Sequence, residues 1–207
     1  MDGHAMRSLH VCLAALLAIA SAGCTSSPPA SYPDQIAEWH AEKDRFMRES
    51  PESPVPADRR ATFPPLPYFA TDQAFRVPAA LRPAAVNATM EMLTSTGQRR
   101  LMRRVGTLAF TLQGQTLTLG AFVEADQQDL RRLFVPFGDL TNGVETYNAG
   151  RYLELDRTAT GFYDLDFNRA FHPFCLFNSG YDCPYPPPEN RLKLPIRAGE
   201  KLSAPKR

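Results

Sequence analysis

What the chain lacks narrows its chemistry before any residue is placed. No G-x-S-x-G elbow, H-E-x-x-H helix, phosphate-cradling G-x-x-x-x-G-K-[ST] loop or G-x-G-x-x-G turn occurs anywhere in the 207 residues. Only four histidines and four cysteines are present, and there is a single tryptophan. Excess charge is missing too: with 23 basic and 22 acidic residues the formal net charge is +1, and the two signs are interleaved. A chain of that balance presents no electrostatic footprint for nucleic acid. Long apolar runs are absent except one, Val11 to Ala20, which is about half of the roughly 20 residues needed to span a bilayer.

That run has the flanks of a signal peptide. Arg7 and His10 precede it, and the small residues Ser21-Ala22-Gly23 close it immediately before Cys24. Met6 opens a more ordinary leader than Met1, because the intervening residues add Asp2 and no base. The small-small-Cys ending resembles the lipobox of bacterial lipoproteins, with Ser21 where leucine is preferred. The resemblance implies diacylation of Cys24, and Thr25-Ser26-Ser27-Pro28-Pro29 supplies a polar tether behind it. The chain thus reads as residues 1–23 signal peptide, 24–31 lipidated cysteine and tether, and 32–207 a single globular domain. The expected place is the cell envelope, held to the membrane by lipid. In a diderm host the lack of Asp at position 25 points to the periplasmic face of the outer membrane.

Proline is plentiful, at 19 residues, and clusters in 50–67 and 185–188, which are therefore extended or turned. Ile36, Trp39, Lys43 and Phe46 recur at helical spacing between the capping residues Ser31 and Asp34 and the stop Ser50-Pro51. This predicts one amphipathic helix, with Trp39 as a packing anchor. Pro54 to Pro78 reads as an extended wrap. From Val105 the apolar period becomes two: Leu108, Phe110 and Leu112 share a face, Gln113-Gly114 turns the chain, and Leu117, Leu119 and Ala121 return on that face. Further alternation at 133–137, 151–156, 162–168 and 191–196 predicts six strands, in an antiparallel sandwich or partly open barrel. A weak second helix is expected near 87–93.

The stretch 133–200 carries unusual polar motifs: Val135-Pro136-Phe137-Gly138-Asp139, Glu145-Thr146-Tyr147, Gly150-Arg151-Tyr152-Leu153, Asp166-Phe167-Asn168-Arg169-Ala170, and Cys183-Pro184 through Pro188-Glu189-Asn190-Arg191. Together with Trp39, Arg45, Ser50-Pro51-Glu52-Ser53-Pro54 and Tyr68-Phe69 they resemble the domain-of-unknown-function family 1684 over nearly the whole mature chain. His172 and Phe174 stand where that family commonly has Asn and Pro, and Ala149 replaces a usual glycine. The resemblance implies no particular activity.

Alternation puts Asp164, Asp166 and Asn168 on the face opposite Tyr163, Leu165 and Phe167. With Arg151, Arg169 and the Glu189-Asn190-Arg191 triplet behind three prolines, they form either a structural network or one site that grips a small polar or anionic ligand. Asp139 to Glu145 spaces oxygens around Gly143 like a calcium loop, but Gly150 occupies the twelfth position where a bidentate Glu belongs, so a turn is favoured. Cys175 and Cys183 are expected to form a disulfide in an oxidising compartment. A zinc site from His172, Cys175 and Cys183 would need Asp182 or a distant fourth ligand, so no metal or cofactor is expected. An enzyme reading, a hydrolase, would rest on His172 or on a carboxylate with a raised pKa. Binding ranks first, a structural envelope role second and hydrolysis third.

Overall fold

A computed structural model describes residues 30–85, 89–128, 131–156 and 158–203. The leader, Cys24 and most of the tether lie outside these. Helix α1, Tyr32–Glu49, begins where capping chemistry places it: the Ser31 hydroxyl accepts the Asp34 N–H, and Pro33 fills the first turn. It ends at Ser50, which precedes Pro51. Ile36 and Met47 are fully buried, and Trp39 packs edge-on against Tyr68. The wrap that follows contains one short helix, α2 (Ala57–Arg60), and then becomes strand β1, Arg76–Pro83.

Six more strands complete the sheet: β2 Thr89–Leu93, β3 Arg99–Leu112, β4 Gln115–Glu124, β5 Arg132–Phe137, β6 Arg151–Asp156 and β7 Phe162–Asp166. All pairs are antiparallel, in the order β6-β5-β4-β3-β1-β7, and the sheet curls into a nearly closed barrel. Among the described residues no ladder joins β6 to β7. Instead Tyr152 and Phe171 exchange backbone hydrogen bonds across that seam at 2.9 and 3.0 Å. The β3–β4 hairpin turns at Gln113-Gly114, both at positive φ.

Strand β3 serves two partners and two faces. Its first half pairs with β2, its second half with β1, and a bulge between Arg104 and Gly106 separates them. A one-residue bulge reverses which side chains point inward. Leu108, Phe110 and Leu112 therefore enter the barrel with Leu119, Val135, Leu153 and Leu165, while Met102 points outward to Phe122 and Met92 in a separate apolar cluster.

Three expectations are corrected. Of the segment near 87–93, the described part Thr89–Leu93 is strand, not helix: Met92 is buried and the segment ladders onto β3, so edge pairing overrides the helical preference of Met, Glu and Leu. The segment 191–196 is not a strand of the sheet. It makes one parallel bridge, Gly138 to Arg191, and then runs across the end of the barrel with Leu192, Leu194 and Ile196 facing inward. The strand expected over 162–168 stops at Asp166, whose side chain accepts the Asn168 N–H and turns the chain into a 3-10 helix.

Candidate functional site

The seven polar residues read as one cluster are distributed over separate places. Arg151, at the mouth of the barrel, is completely buried. Its Nη2 donates to Asp139 Oδ2 at 2.9 Å and to the Ile196 carbonyl at 2.7 Å, and its Nη1 donates to the carbonyls of Ala198 and Glu200. Burial pulls its pKa down, and the Asp139 carboxylate opposes that. Asp139 is equally occupied, since its Oδ1 accepts from Thr141 N, Thr141 Oγ1 and Ile196 N. The 139–145 loop is thus a self-bonded turn, and Gly143 at φ 81° makes its corner.

Asp166, Asn168 and Arg169 do come together, beside the start of α1. Tyr32 donates to Asp166 Oδ1 at 2.9 Å, and Arg169 stands 3.5 Å from Asp166 Oδ2. Asn168 accepts the Asp72 N–H at 3.0 Å and donates to the Asp72 carbonyl at 2.8 Å. Asn190 repeats this arrangement from another 3-10 turn, Pro188–Asn190, against β4 and β5: it accepts from Gly120 N at 2.6 Å and donates to Gly120 O at 2.9 Å and Pro136 O at 2.7 Å. Each amide imitates a peptide unit and pairs with both backbone groups of one residue. Glu189 reaches Arg104 at 3.5 Å on the surface, and Arg191 is exposed. The structure thus spreads the seven over separate places, where Arg151, Asn168 and Asn190 each hydrogen-bond backbone groups of distant segments.

His172 is also enclosed. Its Nε2 accepts the Tyr147 N–H at 3.3 Å, and Nδ1 lies 3.4 Å from Glu200 Oε2, which accepts the His172 N–H at 2.7 Å. Both ring nitrogens therefore face groups of the protein itself. Among the described residues no three His, Cys, Asp or Glu side chains are grouped to hold a metal ion.

The cavity lies elsewhere, on the outer face of the sheet. Because side chains alternate, β3, β4, β5 and β6 turn Arg100 and Met102, Glu124, Arg132 and Phe134, and Tyr152 and Glu154 outward. The excursion 171–184 arches over them with Phe171, Phe174, Tyr181, Asp182 and Cys183. Between the two is a cleft of about 520 Å³. Its floor is aromatic, with Phe134 edge-on to Tyr152 at 4.7 Å and Tyr152 edge-on to Phe171 at 5.9 Å. Its rim is charged and self-paired: Arg100 contacts Glu124 at 3.3 Å and Asp182 at 3.2 Å, and Arg132 contacts Glu154 at 3.1 Å. The Tyr152 hydroxyl donates to the Pro184 carbonyl at 2.6 Å, tying the arch to the sheet. Sequence reasoning missed this cleft, although the signal was present. Phe134 and Tyr152 alternate with core residues and so had to face out, and the arch is dense in aromatics.

A small antiparallel barrel, one helix packed on its side and an aromatic cleft under an arch define the class to which this molecule belongs. The chain is a member of the family described as protein of unknown function DUF1684, whose model matches residues 61–201. It is also similar to an uncharacterized protein of Haloarcula marismortui known from a solution NMR structure, at 36% identity and TM-score 0.65, over 82% of this chain and 93% of that one. No curated protein matches the chain.

Proposed function

We propose that this protein is an envelope lipoprotein that binds a small amphipathic molecule in the cleft beneath the 171–184 arch. The cleft itself carries the reading: about 520 Å³ with an aromatic floor and a polar rim falls within the size and character of small-molecule sites. The rim holds two arginines and three carboxylates, Glu124, Glu154 and Asp182, and each arginine is already paired. A ligand with a flat apolar body and mixed polar substituents fits this better than a simple anion. Titration with neutral N-phenylnaphthylamine and anionic anilinonaphthalenesulfonate tests it. One saturable site is expected, with the neutral probe binding at least as well, and Tyr181→Ala or Phe174→Ala weakening it by about tenfold or more as aromatic contact is lost. Unsaturable binding, or binding indifferent to both substitutions, would remove the cleft as a ligand site.

A structural envelope role is the second reading. It is favoured by one observation: Arg151, Asn168 and Asn190, three buried polar residues of the sequence motifs, brace backbone groups and do not line the cleft. The same titration separates the two.

A further inference from the structure

Cys175 and Cys183 stand at the foot of the arch, and both are free thiols in the structure. They are in contact: the Cys175 N–H donates to Cys183 Sγ at 3.2 Å. Their surroundings differ. Cys183 is buried, lines the cleft and is fixed by a small ladder, with its N–H on Ser95 Oγ at 3.0 Å and its carbonyl accepting Ser95 N at 2.9 Å. Cys175 is half-buried in the 3-10 turn Phe174–Leu176, near Tyr147.

We propose that these two residues are a reversible thiol–disulfide exchange couple at the wall of the cleft, acting on low-molecular-weight disulfides, with Cys175 as the attacking thiolate and Cys183 as the resolving thiol. The order follows from exposure and donors. Cys175 is reachable from solvent, and its contact with the Cys183 thiol favours its anion and lowers its pKa, whereas Cys183 is pushed the other way by its neighbour and by burial, with the Cys175 N–H opposing. In the first step the Cys175 thiolate attacks one sulfur of the substrate, forming a mixed disulfide and expelling the other half as thiolate. Cys183 then loses its proton and attacks Cys175 Sγ, expelling the second half. The protein has gained one disulfide and lost two protons and two electrons, and the substrate disulfide has become two thiols. A thiolate stabilised in this way is also a good leaving group, so the protein disulfide reopens readily and does not act as a permanent clasp.

The test uses the full chain with Cys12 and Cys24 replaced by alanine, fully reduced, and the aromatic disulfide dithiobis-nitrobenzoate. Two aryl thiols should be released per chain with no aryl group retained. The rate should rise with pH to a midpoint below that of an ordinary cysteine thiol, and the product disulfide should reopen in a modest excess of glutathione. Cys183→Ser should stop with one aryl group on the protein, identified on Cys175 by mass spectrometry, and Cys175→Ser should react about tenfold or more slowly. Two aryl groups retained by the parent chain would mean the thiols do not resolve one another, and a disulfide resistant to glutathione would mean a static clasp. Either result overturns the proposal.

Discussion

Glu200 and His172 touch and are shifted in opposite directions. Burial raises the Glu200 carboxyl from 4.5 to about 7, with Lys43, Arg151 and the His172 N–H resisting and Asp44 assisting. Burial lowers His172 from 6.5 to about 3, and the Arg151 and Lys43 cations assist. For Glu200 the folded pKa is raised, so its stability is complete below about 4.5 and is lost as pH climbs through about 7. For His172 it is depressed, so stability is complete above 6.5 and is lost as pH falls toward 3. Each slope is about 1.4 kcal/mol per pH unit, and between pH 4.5 and 6.5 they oppose one another. Denaturant melts of Glu200→Gln across that window should gain stability with rising pH relative to the parent, by roughly 3 kcal/mol in all. Parallel curves for parent and variant would show that Glu200 is not the titrating group.

At the scale of elements, the helix and the hairpins were legible because local rules decide them: Ser31 and Ser50-Pro51 mark the ends of α1, and alternation marks β3 to β7. The bulge near Val105 was not, since nothing local distinguishes a strand that reverses its faces from one that does not. The polar motifs were legible as unusual but not as separate braces, because the partners of Asn168 and Asn190 are backbone groups 96 and 70 residues away. A side chain's own sequence says nothing about which distant peptide lacks a partner. Asn190→Ala should cost about 2–4 kcal/mol, since it leaves buried groups of Gly120 and Pro136 unpaired and opens a gap between β4 and β5. Amide hydrogen exchange should quicken first at Gly120. A change under about 0.5 kcal/mol would mean the amide is not holding the sheet together.

For the molecule as a whole, the proposed anchor is lipid at Cys24; no helix among the described residues is long and apolar enough to cross a membrane. Cys24→Ala should move the protein from the membrane pellet to the soluble fraction of lysed cells, and retention in the pellet would contradict lipidation. The guanidinium of Arg151 sets a second condition on the whole chain. Its acceptors at Ile196, Ala198 and Glu200 follow it by 45 to 49 residues, and that segment threads over the barrel mouth at Gly199, where a Cβ would lie 2.5 Å from the Ala170 carbonyl. A chain emerging from the ribosome N-terminus first therefore holds its most buried cation without a cage until those carbonyls arrive. Asp139 offsets part of that charge, but a buried guanidinium with most of its donors unpaired is strongly disfavoured, so the barrel mouth is complete only once residues 196–200 have joined it.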